Sequence, residues 1–219
     1  MSKHFLLFLV FVSLASFSTI TLAKEPANLV VAKQALIKYH DSGDYDRDIN
    51  AVIIQAMRYL DWRMHQPMPQ KPAIILDIDE TALSNYNDMV RLNFGGTLEE
   101  ILQDEDKGQD PAIKPTLRLY RFAKAHHIAV FFLTGRQEAE REATAKNLQQ
   151  AGYTNWDGLI LRSAEFAKSP ATQYKIAMRK KISKQGYEVI LNIGDQKSDL
   201  TGGYAEKTYK LPGPFYFIA

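Results

Sequence analysis

Two kinds of apolar pattern alternate along the chain. Short apolar runs lie at 73–76, 128–133, 156–161 and 188–193. They are too short for buried helices, and the first is rich in β-branched residues, so we interpret them as buried parallel strands. Helical spacing and start or stop residues predict helices at 26–40, 46–65, 115–126, 138–150 and 170–185. Strands that alternate with helices indicate βαβ units and a mostly parallel sheet, so the expected fold class is α/β.

One segment, 82–112, interrupts this alternation between the first two strands. It contains a Gly95-Gly96 break, a capping-box pattern at 97–100 that opens a short helix, and an acidic stretch at 104–110 that we interpret as a solvated loop. An insertion at this place can cover the carboxyl-end crevice of the sheet as a lid. We therefore expect one domain over 24–219, with a core at about 70–81 and 113–219 and a small helical cap from 26–65 and 82–112.

Residues 1–23 have a different character. A basic start is followed by an apolar run and then by small residues up to Ala23, which is typical of a secretory signal peptide that is removed near Lys24. The alternative is a membrane anchor, but the apolar run is short for a span and is diluted by serine and threonine. We therefore expect an exported product, periplasmic or secreted, that keeps no membrane anchor.

The composition excludes several classes of protein. The chain of 219 residues has no cysteine, which excludes disulfides, thiolate metal sites, cysteine catalysis and a lipid-modified N-terminal cysteine. The net charge of +2 is too small to indicate a nucleic-acid surface. These exclusions leave a globular α/β protein without a nucleic-acid partner.

Polar residues follow the predicted strands where each strand ends. Asp77 and Asp79 follow the first run, Thr134-Gly135 ends the second, and Asp195 ends the last. In open α/β sheets, ligands bind beyond the carboxyl ends of the strands. Carboxylates placed together repel each other unless a proton or a cation is shared, and Mg²⁺ bound with a substrate phosphate removes that cost.

Phosphoryl transfer through an aspartyl-phosphate fits these residue types. Asp77 would attack phosphorus, because a carboxylate is a competent nucleophile. Asp77, Asp195 and the backbone carbonyl of Asp79 would hold Mg²⁺, with Asp199 as a further ligand or a support. Asp79 would protonate the leaving oxygen and then activate water, which favours a phosphatase over a stable phosphorylated switch. Phosphate would be bound by Thr134, Gly135 and Lys175.

Four segments resemble the motifs of the haloacid dehalogenase superfamily. Within it, the chain is similar to the exported acid phosphatases of subfamily IIIB, which include plant vegetative-storage-type acid phosphatases and bacterial lipoprotein acid phosphatases. The matching segments are Asp77-Ile-Asp79-Glu-Thr81, Leu133-Thr134-Gly-Arg136, Tyr174-Lys175 and Gly194-Asp195-Gln-Lys-Ser198-Asp199-Leu200.

The resemblance implies a Rossmann-like core, a helical cap, Mg²⁺ dependence and phosphomonoester hydrolysis at acid pH. It implies the same roles: Asp77 as nucleophile, Asp79 as acid–base residue, Thr134 and Lys175 as phosphate contacts, and Asp195 and Asp199 in the metal site. The chain departs from the lipoprotein branch because it lacks the N-terminal cysteine.

Our leading hypothesis is an exported, Mg²⁺-dependent acid phosphatase that acts on small phosphomonoesters. The alternatives are a storage or phosphate-binding protein on the same fold, and a phosphotransferase with an alcohol acceptor. The aromatic rings of Tyr86, Phe94 and Tyr174 fit either nucleobase stacking or internal packing. Aromatic residues at the cap edge permit a homodimer without requiring one.

Overall fold

A parallel β-sheet forms the centre of the computed structural model, which describes residues 25–218. It has five strands in the order β3-β2-β1-β4-β5, and each pair of neighbours is parallel. The strands are β1 Pro72–Leu76, β2 Ala129–Gln137, β3 Gly158–Arg162, β4 Glu188–Gly194 and β5 Thr208–Lys210. The expected α/β class and the parallel sheet are confirmed.

Helices connect the strands and cover both faces of the sheet. They are α1 Leu29–Asp41, α2 Asp44–Met64, α3 Tyr86–Arg91, α4 Leu98–Lys107, α5 Lys114–Ala125, α6 Arg141–Gln150, α7 Ala171–Lys184 and α8 Lys197–Leu200. Within residues 25–218, none of these helices has the length and apolar character needed to cross a membrane. The predicted signal peptide, 1–23, lies outside the described residues.

The alternation of side chains along β1 divides the core into two layers. Ile74 and Leu76 face the layer that contains α2 and α5, whereas Ala73 and Ile75 face the layer that contains α7. This is the two-residue period of a strand that is buried on both sides. The apolar face of α2 packs on the sheet through Ile49, Ile53 and Leu60. Whether 26–65 also serves as a cap over substrate stays a prediction.

The interpretation of 104–110 as a loop is wrong for its first half. The capping box of Thr97 and Glu100 opens α4 as expected, but the helix continues through the acidic stretch to Lys107 and ends at Gly108. Asp104 is buried there and pairs with Arg91 and with Lys107, whose Nζ lies 2.6 Å away. These cations remove the repulsion that would otherwise oppose a helix in this stretch.

The chain leaves the sheet after β5. Pairing at the sheet edge is confined to β5, and residues 211–218, here termed the C-terminal tail, run across the carboxyl ends of the strands. Two prolines at 212 and 214 cannot donate backbone hydrogen bonds, which explains why strand pairing stops.

Candidate active site

Three buried carboxylates converge at the carboxyl ends of β1 and β4. These strands are neighbours in the sheet, so Asp77 after β1 and Asp195 after β4 meet at one edge. Asp199, in the short helix α8, completes the cluster. Each side chain offers a carboxylate oxygen, and the three oxygens lie within 4.8 Å of one another.

Asp199 reaches the cluster because its loop is tightly held. Its backbone carbonyl accepts hydrogen bonds from Asn192 Nδ2 at 2.8 Å and from Arg179 Nη1 at 2.5 Å. The buried Arg179 also donates to the carbonyls of Thr201 and Gly203. This guanidinium pairs with no carboxylate of residues 25–218, and it fixes the backbone that carries Asp199.

Lys175 is the cation that faces this cluster. Its Nζ lies 2.5 Å from Asp77 Oδ1 and 2.9 Å from Asp199 Oδ1, and it donates to the carbonyl of Leu133 at 2.6 Å. Burial opposes its charge, but the Asp199 and Asp77 carboxylates outweigh burial and raise the pKa of Lys175 above its ordinary value. Lys175 therefore stays charged.

One lysine does not neutralise three carboxylates. Burial, followed by the charge of Asp199, raises the pKa of Asp77 well above its ordinary value. The same two causes raise the pKa of Asp195 to about 7. The cluster is therefore short of positive charge, and its donors are all hard oxygens. These residues fit a divalent cation such as Mg²⁺, which binds carboxylate and carbonyl oxygens.

Asp79 is not one of the three clustered carboxylates and pairs with Arg136. Arg136 Nε and Nη2 lie 3.0 and 2.7 Å from Asp79 Oδ1, and Asn85 Nδ2 donates to the same oxygen at 2.8 Å. Burial opposes the charge, but Arg136 and these hydrogen bonds outweigh it and lower the pKa of Asp79. Its backbone carbonyl lies 3.5 Å from the Tyr216 hydroxyl, which also contacts Asp195.

Thr134 and Gly135 form the rim of the site at the end of β2. Thr134 is buried, and its Oγ1 lies 3.4 Å from Asp79 Oδ2 and accepts a hydrogen bond from the Arg136 backbone N–H at 3.0 Å. Gly135 is exposed, and a Cβ added there would meet nothing within 4 Å. Its peptide therefore borders open space, where a phosphate has room to approach.

The aromatic residues considered for nucleobase stacking are engaged in packing. The Tyr174 ring is buried against Phe166. The Tyr86 ring is also buried and stacks on His40 with ring centroids 3.3 Å apart. Phe94 is half-buried beside Phe215. Internal packing accounts for all three rings.

The structure brings together the predicted catalytic, phosphate-binding and metal residues, and it adds three residues to which the sequence pattern assigns no role. Arg136 was quoted in a motif but given no role, although a cation directly after Thr134-Gly135 was a usable signal. Arg179 lies one helical turn after Lys175 in α7, a spacing that indicates a shared helix face but no role. Tyr216 carried no signal, because it lies 137 positions from Asp79 in the chain.

This fold is that of the haloacid dehalogenase-like acid phosphatases. The class C acid phosphatase from Bacillus anthracis superposes on 86% of this chain and 85% of that chain with a TM-score of 0.72, at 20% sequence identity. A family model described as HAD superfamily, subfamily IIIB (Acid phosphatase), matches residues 11–219, so the chain belongs to this family. The resemblance is confirmed, and the chain is an enzyme of the phosphomonoester hydrolase class.

Two plant proteins show the same relationship by sequence. Stem 28 kDa glycoprotein from Glycine max is 35% identical over 192 residues, which make up 84% of this chain and 74% of that protein. Acid phosphatase 1 from Solanum lycopersicum is 36% identical over 148 residues, which make up 66% of this chain and 58% of that protein.

Proposed function

We propose that the chain hydrolyses small phosphomonoesters with Mg²⁺ and through an aspartyl-phosphate on Asp77. The observation that carries this proposal is the cluster of Asp77, Asp195 and Asp199, whose oxygens lie within 4.8 Å of one another beside the Lys175 ammonium. Mg²⁺ would be held by Asp77, Asp195, Asp199 and the Asp79 carbonyl. When bound, it would neutralise charge on the phosphoryl oxygens and on the carboxylates.

The first half-reaction transfers the phosphoryl group to the enzyme. A bond forms between an Asp77 carboxylate oxygen and phosphorus, and the bond from phosphorus to the leaving oxygen breaks. Arg136 lowers the pKa of Asp79 in the free enzyme, but the negative charge of a bound phosphate opposes this effect. In the complex, protonated Asp79 gives its proton to that oxygen, so an alcohol departs. The Lys175 ammonium and the Gly135 peptide stabilise the phosphoryl oxygens.

The second half-reaction returns Asp77 to its starting state. The Asp79 carboxylate takes a proton from water as the water oxygen attacks phosphorus, and the bond between Asp77 and phosphorus breaks. Inorganic phosphate leaves, and Asp79 is protonated again for the next turnover. Arg136 and Asn85 hold Asp79 in the orientation that both proton transfers need.

Replacement of the nucleophile tests this assignment. Asp77→Asn should retain no more than a few per cent of the wild-type rate on p-nitrophenyl phosphate, and EDTA should abolish the wild-type rate until Mg²⁺ is restored. Asp61→Asn, an exposed change on α2, is the matched control. Substantial activity in Asp77→Asn would remove Asp77 from this role.

Assays on the same purified chain distinguish this function from the storage and phosphotransferase alternatives. A storage or phosphate-binding protein would show no turnover with or without Mg²⁺. A phosphotransferase would pass phosphate to an added nucleoside instead of releasing all of it to water, which product analysis reveals. For export, the mass of the protein recovered from periplasm or medium should correspond to a chain that begins near Lys24.

A further inference from the structure

The C-terminal tail passes directly over Asp195. It continues from β5 with a hydrogen bond from the Leu211 N–H to the Gly194 carbonyl at 2.9 Å. At Gly213 the approach is so close that an added Cβ would lie 2.6 Å from the Asp195 carbonyl oxygen and 2.7 Å from Asp195 Oδ2. Only a residue without a side chain fits there, so the tail and the carboxylate are packed against each other.

Both carboxylate oxygens of Asp195 are held by groups that belong to the tail or are bound to it. The Tyr216 hydroxyl lies 3.2 Å from Asp195 Oδ1 and 3.5 Å from the Asp79 carbonyl oxygen. Gln196 Nε2 donates to Asp195 Oδ2 at 2.7 Å and lies 3.4 Å from the Tyr216 carbonyl, while Gln196 Oε1 accepts from the Ile218 N–H at 3.3 Å.

We propose that Tyr216 is a positioning residue for the cation site and that the tail is a structural part of this site. The inference rests on the proposed Mg²⁺-dependent function, because it assigns a support to two of the proposed cation ligands. The Tyr216 O–H donates to one carboxylate oxygen while Gln196 donates to the other, which fixes the rotation of the Asp195 carboxylate. Groups that orient metal ligands in this way typically contribute 10- to 100-fold to metal affinity or activity.

A purely structural role predicts a different result. If the tail only covered the sheet end, removal of the Tyr216 hydroxyl would lower the melting temperature and leave the affinity for the cation unchanged. If the hydroxyl positions Asp195, the affinity falls, and excess cation restores turnover. The two roles are therefore separated by a binding constant and a rescue experiment.

The test uses the full chain stripped with EDTA, with Mn²⁺ as the probe and calorimetric titration as the readout. Tyr216→Phe should bind Mn²⁺ about tenfold or more weakly than the unsubstituted chain. Its kcat at saturating Mn²⁺ should return to that of the unsubstituted chain. Tyr209→Phe, which removes a hydroxyl from the edge strand where it lies 3.4 Å from the Gln55 carbonyl, should bind Mn²⁺ normally.

A substitution at Gly213 gives an independent test of the contact between the tail and Asp195. Gly213→Ala should weaken Mn²⁺ binding at least as much, because its Cβ displaces Asp195. Gly95→Ala is the control, since an added Cβ there meets Leu92 O at an ordinary 3.6 Å. Equal affinities in Tyr216→Phe and the unsubstituted chain would overturn this inference alone. Absence of Mn²⁺ and Mg²⁺ binding by the unsubstituted chain would overturn the metal-dependent function and this inference with it.

Discussion

Removal of one carboxylate should stabilise the metal-free protein while it destroys the enzyme. Asp195 is buried, with a pKa of about 7 against an ordinary value of 3.8. For an acid whose folded pKa is raised, stability is fully present below the ordinary pKa and is lost as the pH rises through the folded pKa. The difference corresponds to about 4 kcal/mol of destabilisation once Asp195 is ionised.

Asp195→Asn removes this cost and keeps a polar side chain of the same shape. In EDTA at pH 8 we expect the variant to be more stable than the wild type by up to about 4 kcal/mol, or roughly 8–16 °C in melting temperature. At pH 5 the wild type has lost less stability, so the advantage should shrink to about 2 kcal/mol.

Addition of Mg²⁺ should shrink the advantage of the variant at pH 8 and reverse the order at pH 5. A cation at 100 times its dissociation constant stabilises the wild type by about 2.7 kcal/mol. It stabilises the variant much less, because one cation ligand is missing. Thermal unfolding followed by circular dichroism, at pH 5 and pH 8 and with EDTA or Mg²⁺, measures all four differences. A variant that melts below the wild type in EDTA at pH 8 would refute the charge argument.

Three further substitutions test the groups around the cluster. Asp79→Asn should lower turnover of alkyl phosphates by about 100- to 10,000-fold, because their leaving oxygen needs a proton. With p-nitrophenyl phosphate, whose leaving group needs none, slowed hydrolysis should let phosphoenzyme accumulate in a rapid-quench assay. Arg136→Met removes the cation that lowers the pKa of Asp79, so the pH dependence of kcat/KM should move to higher pH. Arg179→Met leaves the Thr201 and Gly203 carbonyls without this donor and removes one of the two donors to the Asp199 carbonyl. It should cost about 3–5 kcal/mol in urea unfolding, with weaker Mg²⁺ binding because Asp199 loses part of its support.

For each of these three predictions, one result would contradict the reasoning. Alkyl phosphate turnover within tenfold of wild type in Asp79→Asn would assign the proton to another group. An unchanged pH profile in Arg136→Met would mean that the Asp79 pair does not set the protonation of the enzyme. For Arg179→Met, the control is Arg58→Met, a substitution at an exposed position. Equal stability of the two variants would show that Arg179 does not hold the backbone that carries Asp199.

The sequence was sufficient for four of the five strands and for most of the site, whereas β5 was not predicted. The apolar runs are strands because a strand buried on both faces needs no polar alternation, as β1 shows. Parallel strands must place their carboxyl ends at one edge, so Asp77, Thr134 and Asp195 had to lie near each other. Close carboxylates require a partner of opposite charge, and this requirement indicated a single cation site.

The remaining contacts depend on the tertiary structure. The continuation of α4 through Asp104 needs Arg91, which lies 13 positions away and becomes a neighbour only after folding. In the C-terminal tail, the pattern of prolines and aromatic residues indicates irregular backbone but no contact with the site. Its contact with Asp195 follows from the direction in which the chain leaves β5, which no local pattern encodes.

The pair of Lys175 and Asp77 has a kinetic consequence. It closes a loop of 98 positions, so the contact forms only after the intervening strands and helices have found their places. Contacts between such distant positions are slow to form, because the entropy of loop closure must be lost before they contribute any stability. Recovery of catalysis after dilution from denaturant should therefore follow the slowest refolding phase, and far-ultraviolet ellipticity should return earlier.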